Sequence, residues 1–352
     1  MTDLFTPGSL GDIDLANRIV MAPMTRSRAG AGDAPTALTV DYYRQRATAG
    51  LIITEGTQPS PVGKGYCRTP GIHSDAQVAG WKAVTDAVHG AGGRIALQVM
   101  HCGRIASHLN KDPGVETVAP SAVRAEAKIF TDQKGLIEVD TPRALELSEI
   151  PSVIAEFGTA AANARRAGFD GIELHAASGY LPMQFLSTGP NRRTDAYGGS
   201  VRNRIRFTVE ALQAMAGAIG ASRVGIRIAP GNPFNDLQDN DPVETYGALL
   251  DAIQPIGLAY VHLVHLKKLH FDPLALVKRH WQGKLILNES LDFASGTQAV
   301  SEGTAEAASY GRFYIGNPDL VRRFREGAPL APFNLKTLYT EGAAGYTDYP
   351  AL

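Results

Sequence analysis

Two runs, GIELHAASGY (171–180) and NRRTDAYGGSVRNR (191–204), anchor the reading of this 352-residue chain. The first begins as a short buried strand and ends on His175, with Ser178 and Tyr180 just beyond it. The second is polar and glycine-marked, and it stops where helical spacing resumes at Val201. In parallel α/β proteins the residues past a strand's carboxyl end face the ligand. An imidazole, a hydroxyl and a phenol are therefore grouped where chemistry is expected.

Outward from this unit the same alternation repeats. Short apolar runs predict strands at 18–22, 51–55, 95–101, 171–175, 224–228, 260–264, 284–288 and 308–311. Helical spacing predicts helices near 37–49, 76–91, 149–167, 201–219, 243–256, 273–279, 293–302 and 319–326. The strands are continuously apolar, as in a parallel sheet covered on both faces. Eight βα units in series favour a closed (β/α)8 TIM barrel over an open doubly wound sheet, and no GxGxxG follows any strand. Residues 1–17 are expected to form a hairpin plugging the barrel bottom. Residues from about 107 to 147, with prolines at 113, 120 and 142, read as a lid insertion after strand three. The whole of 1–352 reads as a single domain.

Composition narrows the function classes. The formal net charge of −1 gives no electrostatic case for nucleic acid or a membrane surface as partner. The opening residues carry no apolar signal core, so a cytoplasmic address is the expectation. Two cysteines, Cys67 and Cys102, allow neither a disulfide framework nor a four-thiolate cluster, and both read as packing residues. His101, His262 and His265 lack a third clustered ligand, so no metal is expected. Lys267 and Lys268 read as a solvated loop.

Alternation along strands brings polar side chains together. Gln98, His175 and Arg227 should meet near the upper rim, with Met100 on the same face as Gln98. An arginine inside VGIRIAP (224–230) needs an anionic or hydrogen-bonding partner. That partner is either Glu173 or Glu55 in a structural pair, or a cofactor that becomes negative during turnover. Past strand eight, Gly311 and Arg312 offer close backbone approach and a cationic fork. A phosphate between them and the Glu289–Ser290 turn is the economical reading, because such barrels bind phosphate after strands seven and eight.

At this point the motifs form a set. ANRIVMAPMTRSRA (16–29), DYYRQRATAGLIITEGTQ (41–58), GRIALQVMHCGR (93–104), GFDGIELHAASGYL (168–181), NRRTDAYGGSVRNR (191–204), YGRFYIGNPDL (310–320) and GAAGYTDYP (342–350) resemble the old yellow enzyme family of FMN-dependent ene-reductases. The resemblance covers essentially the whole chain. It implies an NADPH- or NADH-driven enzyme, monomer or homodimer, that reduces the C=C bond of α,β-unsaturated carbonyl compounds. It implies that Pro23, Met24, Thr25, Gly56 and Gln98 contact the flavin, and that Arg227 lies beside N1 and O2. Gly311 and Arg312, with Glu289 and Ser290, would hold the phosphate. His175 would bind the substrate oxygen, Tyr180 would donate the proton, and Tyr66, Met100 and Tyr339 would line the pocket.

Four departures from the family pattern shape the expectations. Ser178 stands where histidine or asparagine is usual. It either donates a hydrogen bond, directly or through water, or fills space while His175 works alone; otherwise the natural substrate is not a simple enone. Met100 replaces a common tryptophan, which puts the hydride face in question. The turn Asn288-Glu289-Ser290 lacks the usual glycine, so the Glu289 carboxylate should point away from a phosphate. The loop 265–271 is short and should open the site. The alternatives are an FMN barrel acting on nitro compounds or nitrate esters, or running as a desaturase, and a flavin-free phosphate-binding aldolase or isomerase.

Overall fold

A computed structural model describes residues 2–352. Eight parallel strands close into a barrel: β1 (Ile19–Met21), β2 (Leu51–Ile53), β3 (Ile95–Val99), β4 (Gly171–Ala176), β5 (Val224–Ile228), β6 (Tyr260–Val264), β7 (Leu285–Asn288) and β8 (Ala307–Tyr310). Each pairs with its sequence neighbours, and β8 pairs with β1 to complete the circle. All eight are buried along their length, which is why each read as a continuous apolar run. The outer helices fall where the spacing placed them, within a few residues, as in Ile150–Arg166 and Val201–Ile219. The sequence missed two short helices, Leu181–Leu186 and Arg312–Gly316, each too brief to show a full apolar period.

Residues 8–15 form the expected hairpin, Gly8–Leu10 against Ile13–Leu15. Its Leu10, Ile13 and Leu15 pack onto Val20, Leu51, Ile53, Ala96, Tyr260, Ile286 and Ala307, so the barrel bottom is closed by an apolar plug. Gly11 is required at the hairpin tip. Its φ is +56°, and a Cβ there would lie 2.1 Å from the Ser222 carbonyl oxygen. Higher up, Gly225 leaves room inside the barrel for the Tyr260 ring, which a Cβ would meet at 2.3 Å.

The insertion after β3 carries β structure, as expected. Lys128–Thr131 pairs antiparallel with Gly135–Glu138, and Val118–Ala119 pairs with Arg143–Ala144. Its Ala125, Ile129 and Val139 pack against Met100, Cys102, Ile105 and Tyr180, so it walls one side of the mouth. The C-terminal segment covers another side. The Arg26 and Arg28 guanidinium groups donate to the carbonyls of Thr337, Leu338, Gly342, Ala344 and Gly345. Tyr346 stacks on Tyr42, with centroids 4.1 Å apart.

Arg46 ties the first helix, Ala37–Arg44, to the segment after β8. Wholly buried over the Tyr42 ring, it donates to the carbonyls of Tyr42, Tyr314 and Ile315. Hydrogen bonds from a charged donor are worth about 1.5–3 kcal/mol each, and the orphaned carbonyls would stay buried. Arg46→Met is therefore expected to lower the unfolding free energy by about 2–4 kcal/mol in urea titrations, without loss of secondary structure.

Candidate active site

The register of β3 to β6 stacks two polar rows inside the barrel. Glu173 sits opposite Gln98 and Gly225, while His175 sits opposite Arg227, and Arg227 opposite His262. Glu173 and His262 are fully buried. The Glu173 carboxylate accepts from Gln98 Nε2 at 2.7 Å and from His262 Nδ1 at 2.9 Å. Arg227 NH1 lies against the His262 ring, 2.5 Å from Nε2 and 3.1 Å from Nδ1, and NH2 donates to Asn288 Oδ1 at 2.6 Å. Asn288 in turn donates to the Ser309 carbonyl at 3.0 Å. The direct pair with Glu173 or Glu55, one of the sequence expectations, is not what forms: His262 stands between Arg227 and Glu173. Burial draws the Arg227 pKa below its usual value against the opposing pull of Glu173 and Glu289.

His175 lies above this row, and its Nδ1 is buried with no partner. Burial, and then the charge of Arg227, hold its pKa well below the usual histidine range, so the ring is neutral. Its centroid lies 4.8 Å from that of Tyr180, with the rings near perpendicular at 71°. The Tyr180 and Tyr66 hydroxyls share a hydrogen bond of 3.1 Å. Burial raises both phenol pKa values well above their ordinary range, so both carry their protons at neutral pH. Tyr339, expected in the pocket wall, is 57% exposed and stands at the rim, close enough to raise the pKa of both phenols.

Ser178 is half-buried with φ at +54°, followed by Gly179 at +83°. Its carbonyl accepts from Asn235 Nδ2 at 2.8 Å. Met100 lies over Gly56, where a Cβ would meet its sulfur at 2.4 Å. Gln184 was not anticipated: fully buried, it donates to the Cys102 and Gly179 carbonyls and accepts from the Arg104 N–H. It locks the loop after β3 to the loop that carries Tyr180.

The remaining expected residues lie around the same mouth. Pro23, Met24 and Thr25 are half-buried past β1, and among the described residues the Thr25 hydroxyl has no protein partner. Their backbone is held by Glu55, whose carboxylate accepts from the Arg26 N–H at 3.1 Å and the Ser27 N–H at 3.4 Å. Arg312 is exposed beside Gly311, where a Cβ would find its nearest atom, the Met24 sulfur, at 3.4 Å. β7 and β8 are paired, so this spot adjoins the Glu289–Ser290 turn. Glu289 has φ +88° and Ser290 +54°, left-handed values that fit the glycine the family prefers. Glu289 is half-buried, and its charge bears on Arg227. The loop after β6 encloses a cavity of about 430 Å³ lined by its own residues, among them His265, Lys267, His270 and Phe271.

The NADH:flavin oxidoreductase / NADH oxidase family profile matches residues 3–331. The chain belongs to this family. Morphinone reductase in complex with tetrahydroNAD superposes with a TM-score of 0.96 at 44% identity, covering 100% of this chain and 98% of that one. An old yellow enzyme homologue from Zymomonas mobilis gives 0.95 at 39% identity, covering 99% and 100%. By sequence, the chain is 41% identical to a probable flavin mononucleotide-dependent alkene reductase of Leishmania infantum, over 99% of this chain and 97% of the relative. It is 39% identical to 12-oxophytodienoate reductase 1 of Oryza sativa subsp. japonica, over 99% and 93%. In this flavin oxidoreductase no helix among the described residues is long and apolar enough to cross a membrane.

Glu55 gives the site a pH signature. Burial lifts its pKa to about 7 from the ordinary 4.5, against the pull of the Arg26 and Ser27 N–H groups and of the nearby arginines. A raised folded-state pKa stabilises the fold fully below about 4.5, and that contribution is lost as pH rises through about 7. Relative to Glu55→Gln, wild-type unfolding free energy should fall by about 3 kcal/mol across that window, read from urea titrations at stepped pH.

Proposed function

We propose that this chain is an FMN-dependent reductase of activated alkenes, drawing hydride from NADH or NADPH and reducing the C=C bond of α,β-unsaturated carbonyl compounds. The observation that carries this reading is the grouping at the barrel mouth: a neutral imidazole with a free nitrogen, a protonated phenol beside it, and a buried guanidinium below that forms no ion-pair contact with a carboxylate among the described residues. FMN, when bound, accepts hydride from the nicotinamide and passes it to the substrate. The residues fit that group. Arg227 would take the pyrimidine edge, where negative charge grows on reduction. Gln98 and the Pro23–Thr25 segment would border the ring, with the Thr25 hydroxyl free to bond it. Gly311 and Arg312 would hold the phosphate across from Glu289 and Ser290.

The protein's own groups then act on the substrate. His175 donates one hydrogen bond to the carbonyl oxygen and draws electron density from the double bond. Tyr180 gives its phenolic proton to the α-carbon. Met100, Tyr66 and the lid residues Ala125 and Ile129 exclude water on that side. The same reading takes residues 1–352 as one FMN-binding unit, a monomer or homodimer in the cytoplasm.

Anaerobic stopped flow separates the two halves of the reaction. Tyr180→Phe should leave nicotinamide oxidation within twofold of wild type and slow alkene reduction by about 10²-fold. Equal losses in both halves would remove Tyr180 from the proton-donor role. Phenols mimic the enolate, so His175→Ala should weaken their binding and abolish their long-wavelength charge-transfer band; unchanged binding would exclude His175 as the oxygen ligand.

Ser178 offers a gain-of-function test. Its φ of +54° is a value that asparagine tolerates better than serine. Ser178→Asn should therefore fold normally and supply a longer hydrogen-bond donor. About tenfold higher kcat/KM on a small cyclic enone is expected. Slower turnover would show that the serine itself contacts substrate or that its small size is needed.

A further inference from the structure

Three charged or polar groups stand in line below the mouth. Glu173 accepts from His262 Nδ1 at 2.9 Å, and Arg227 NH1 lies against the His262 ring, 2.5 Å from Nε2 and 3.1 Å from Nδ1. Ser309 Oγ also lies 2.7 Å from that Nε2. A carboxylate only accepts, so Nδ1 carries the proton toward Glu173, and Nε2 is left to accept from the Ser309 hydroxyl. The ring is neutral; burial first, and then Arg227, hold its pKa at about 4 against the pull of Glu173.

This arrangement has an alternative that it avoids. A carboxylate and a guanidinium buried in one barrel attract strongly because the surroundings screen them weakly. With nothing between them they would close into a direct pair, and the guanidinium would turn its donors down. Instead the imidazole lies in contact with the guanidinium and satisfies Glu173 with its own N–H. Asn288 takes one donor of Arg227 at 2.6 Å and fixes the plane of the guanidinium.

We infer that His262 is a positioning residue, a neutral spacer that keeps Arg227 from closing onto Glu173 and so holds the guanidinium at the barrel mouth for the pyrimidine edge of FMN. The inference rests on the proposed placement of FMN over Arg227. Hydride uptake brings two electrons and one proton to the flavin and leaves one negative charge at that edge. Arg227 stabilises the charge only while it stays raised, and Glu173 opposes it from below. His262 thus bears on both FMN affinity and the reduction potential.

The test uses the FMN holoenzyme and reads the midpoint potential and the FMN dissociation constant. His262→Ala lets Arg227 drop onto Glu173, so the potential should fall and FMN should bind about tenfold more weakly. Glu173→Gln removes the opposing charge, so the potential should rise. The double variant has no carboxylate to drop onto and should return to the wild-type potential or above. His262→Gln keeps a neutral donor and acceptor and should restore wild-type values. A double variant as impaired as His262→Ala, or no rescue by glutamine, would reduce His262 to a packing residue. If the variants fail to fold, the wild type still decides: ¹⁵N shifts must report a neutral Nδ1–H ring at His262 across pH 5–8, and a charged ring there overturns the inference. Arg227→Ala separates the premise. If it changes neither affinity nor potential, FMN does not lie over Arg227; if it changes both while the His262 variants change neither, only the spacer role fails.

Discussion

Burying Glu173 and Arg227 within one barrel would cost several kcal/mol per ion if either were left without partners. Neither is. Gln98, His262, Asn288 and Ser309, contributed by β3, β6, β7 and β8, join the two charges from β4 and β5 in one connected network. Six of the eight strands are thereby tied together by polar contacts at one level of the barrel. Below that level the interior is apolar and plugged by the hairpin; above it lies the mouth. The network is thus a floor beneath the mouth, with Arg227 as its cation. A neutral imidazole at His175 and neutral phenols at Tyr66 and Tyr180 complete the site above Arg227.

The walls are held by separate devices. Arginines recur wherever loop carbonyls must be buried: Arg26 and Arg28 under the C-terminal segment, Arg46 under the segment after β8, and Arg104 between the lid and the loop after β5. Each presents several donors in a fixed plane, which suits irregular backbone that has no sheet or helix to satisfy it. Gln184 does the same on a smaller scale between the loops after β3 and β4. These contacts hold the segments that carry Tyr180, Thr25 and Arg312 around one opening.

The barrel was legible because its strands are buried on both faces and its helices are periodic. Those two signals survive in a single sequence. The hairpin plug and the β content of the lid were legible for the same reason, as in the alternation of LIEV (136–139). The site was legible mainly through the motifs of the family it resembles. The destination of Arg227 was left open, since alternation shows which residues face inward but not which of them meet. His262 drew notice only as a metal candidate, although YVHLV (260–264) already placed it inward beside Arg227. The left-handed backbone at Ser178 had no signal, because no glycine marks it, and at Glu289 and Ser290 the one hint was the glycine common in that turn of the family. Gln184 and the carbonyls it binds were hidden likewise: a buried glutamine looks like any other until its partners fold around it.

The most direct test of this account is a crystal structure of the FMN-loaded protein at a resolution that orients the His262 ring. The account places the pyrimidine edge within hydrogen-bond distance of the Arg227 guanidinium, with the imidazole still between that group and Glu173. Density showing Arg227 folded down onto the Glu173 carboxylate, or FMN bound away from the barrel mouth, would contradict it.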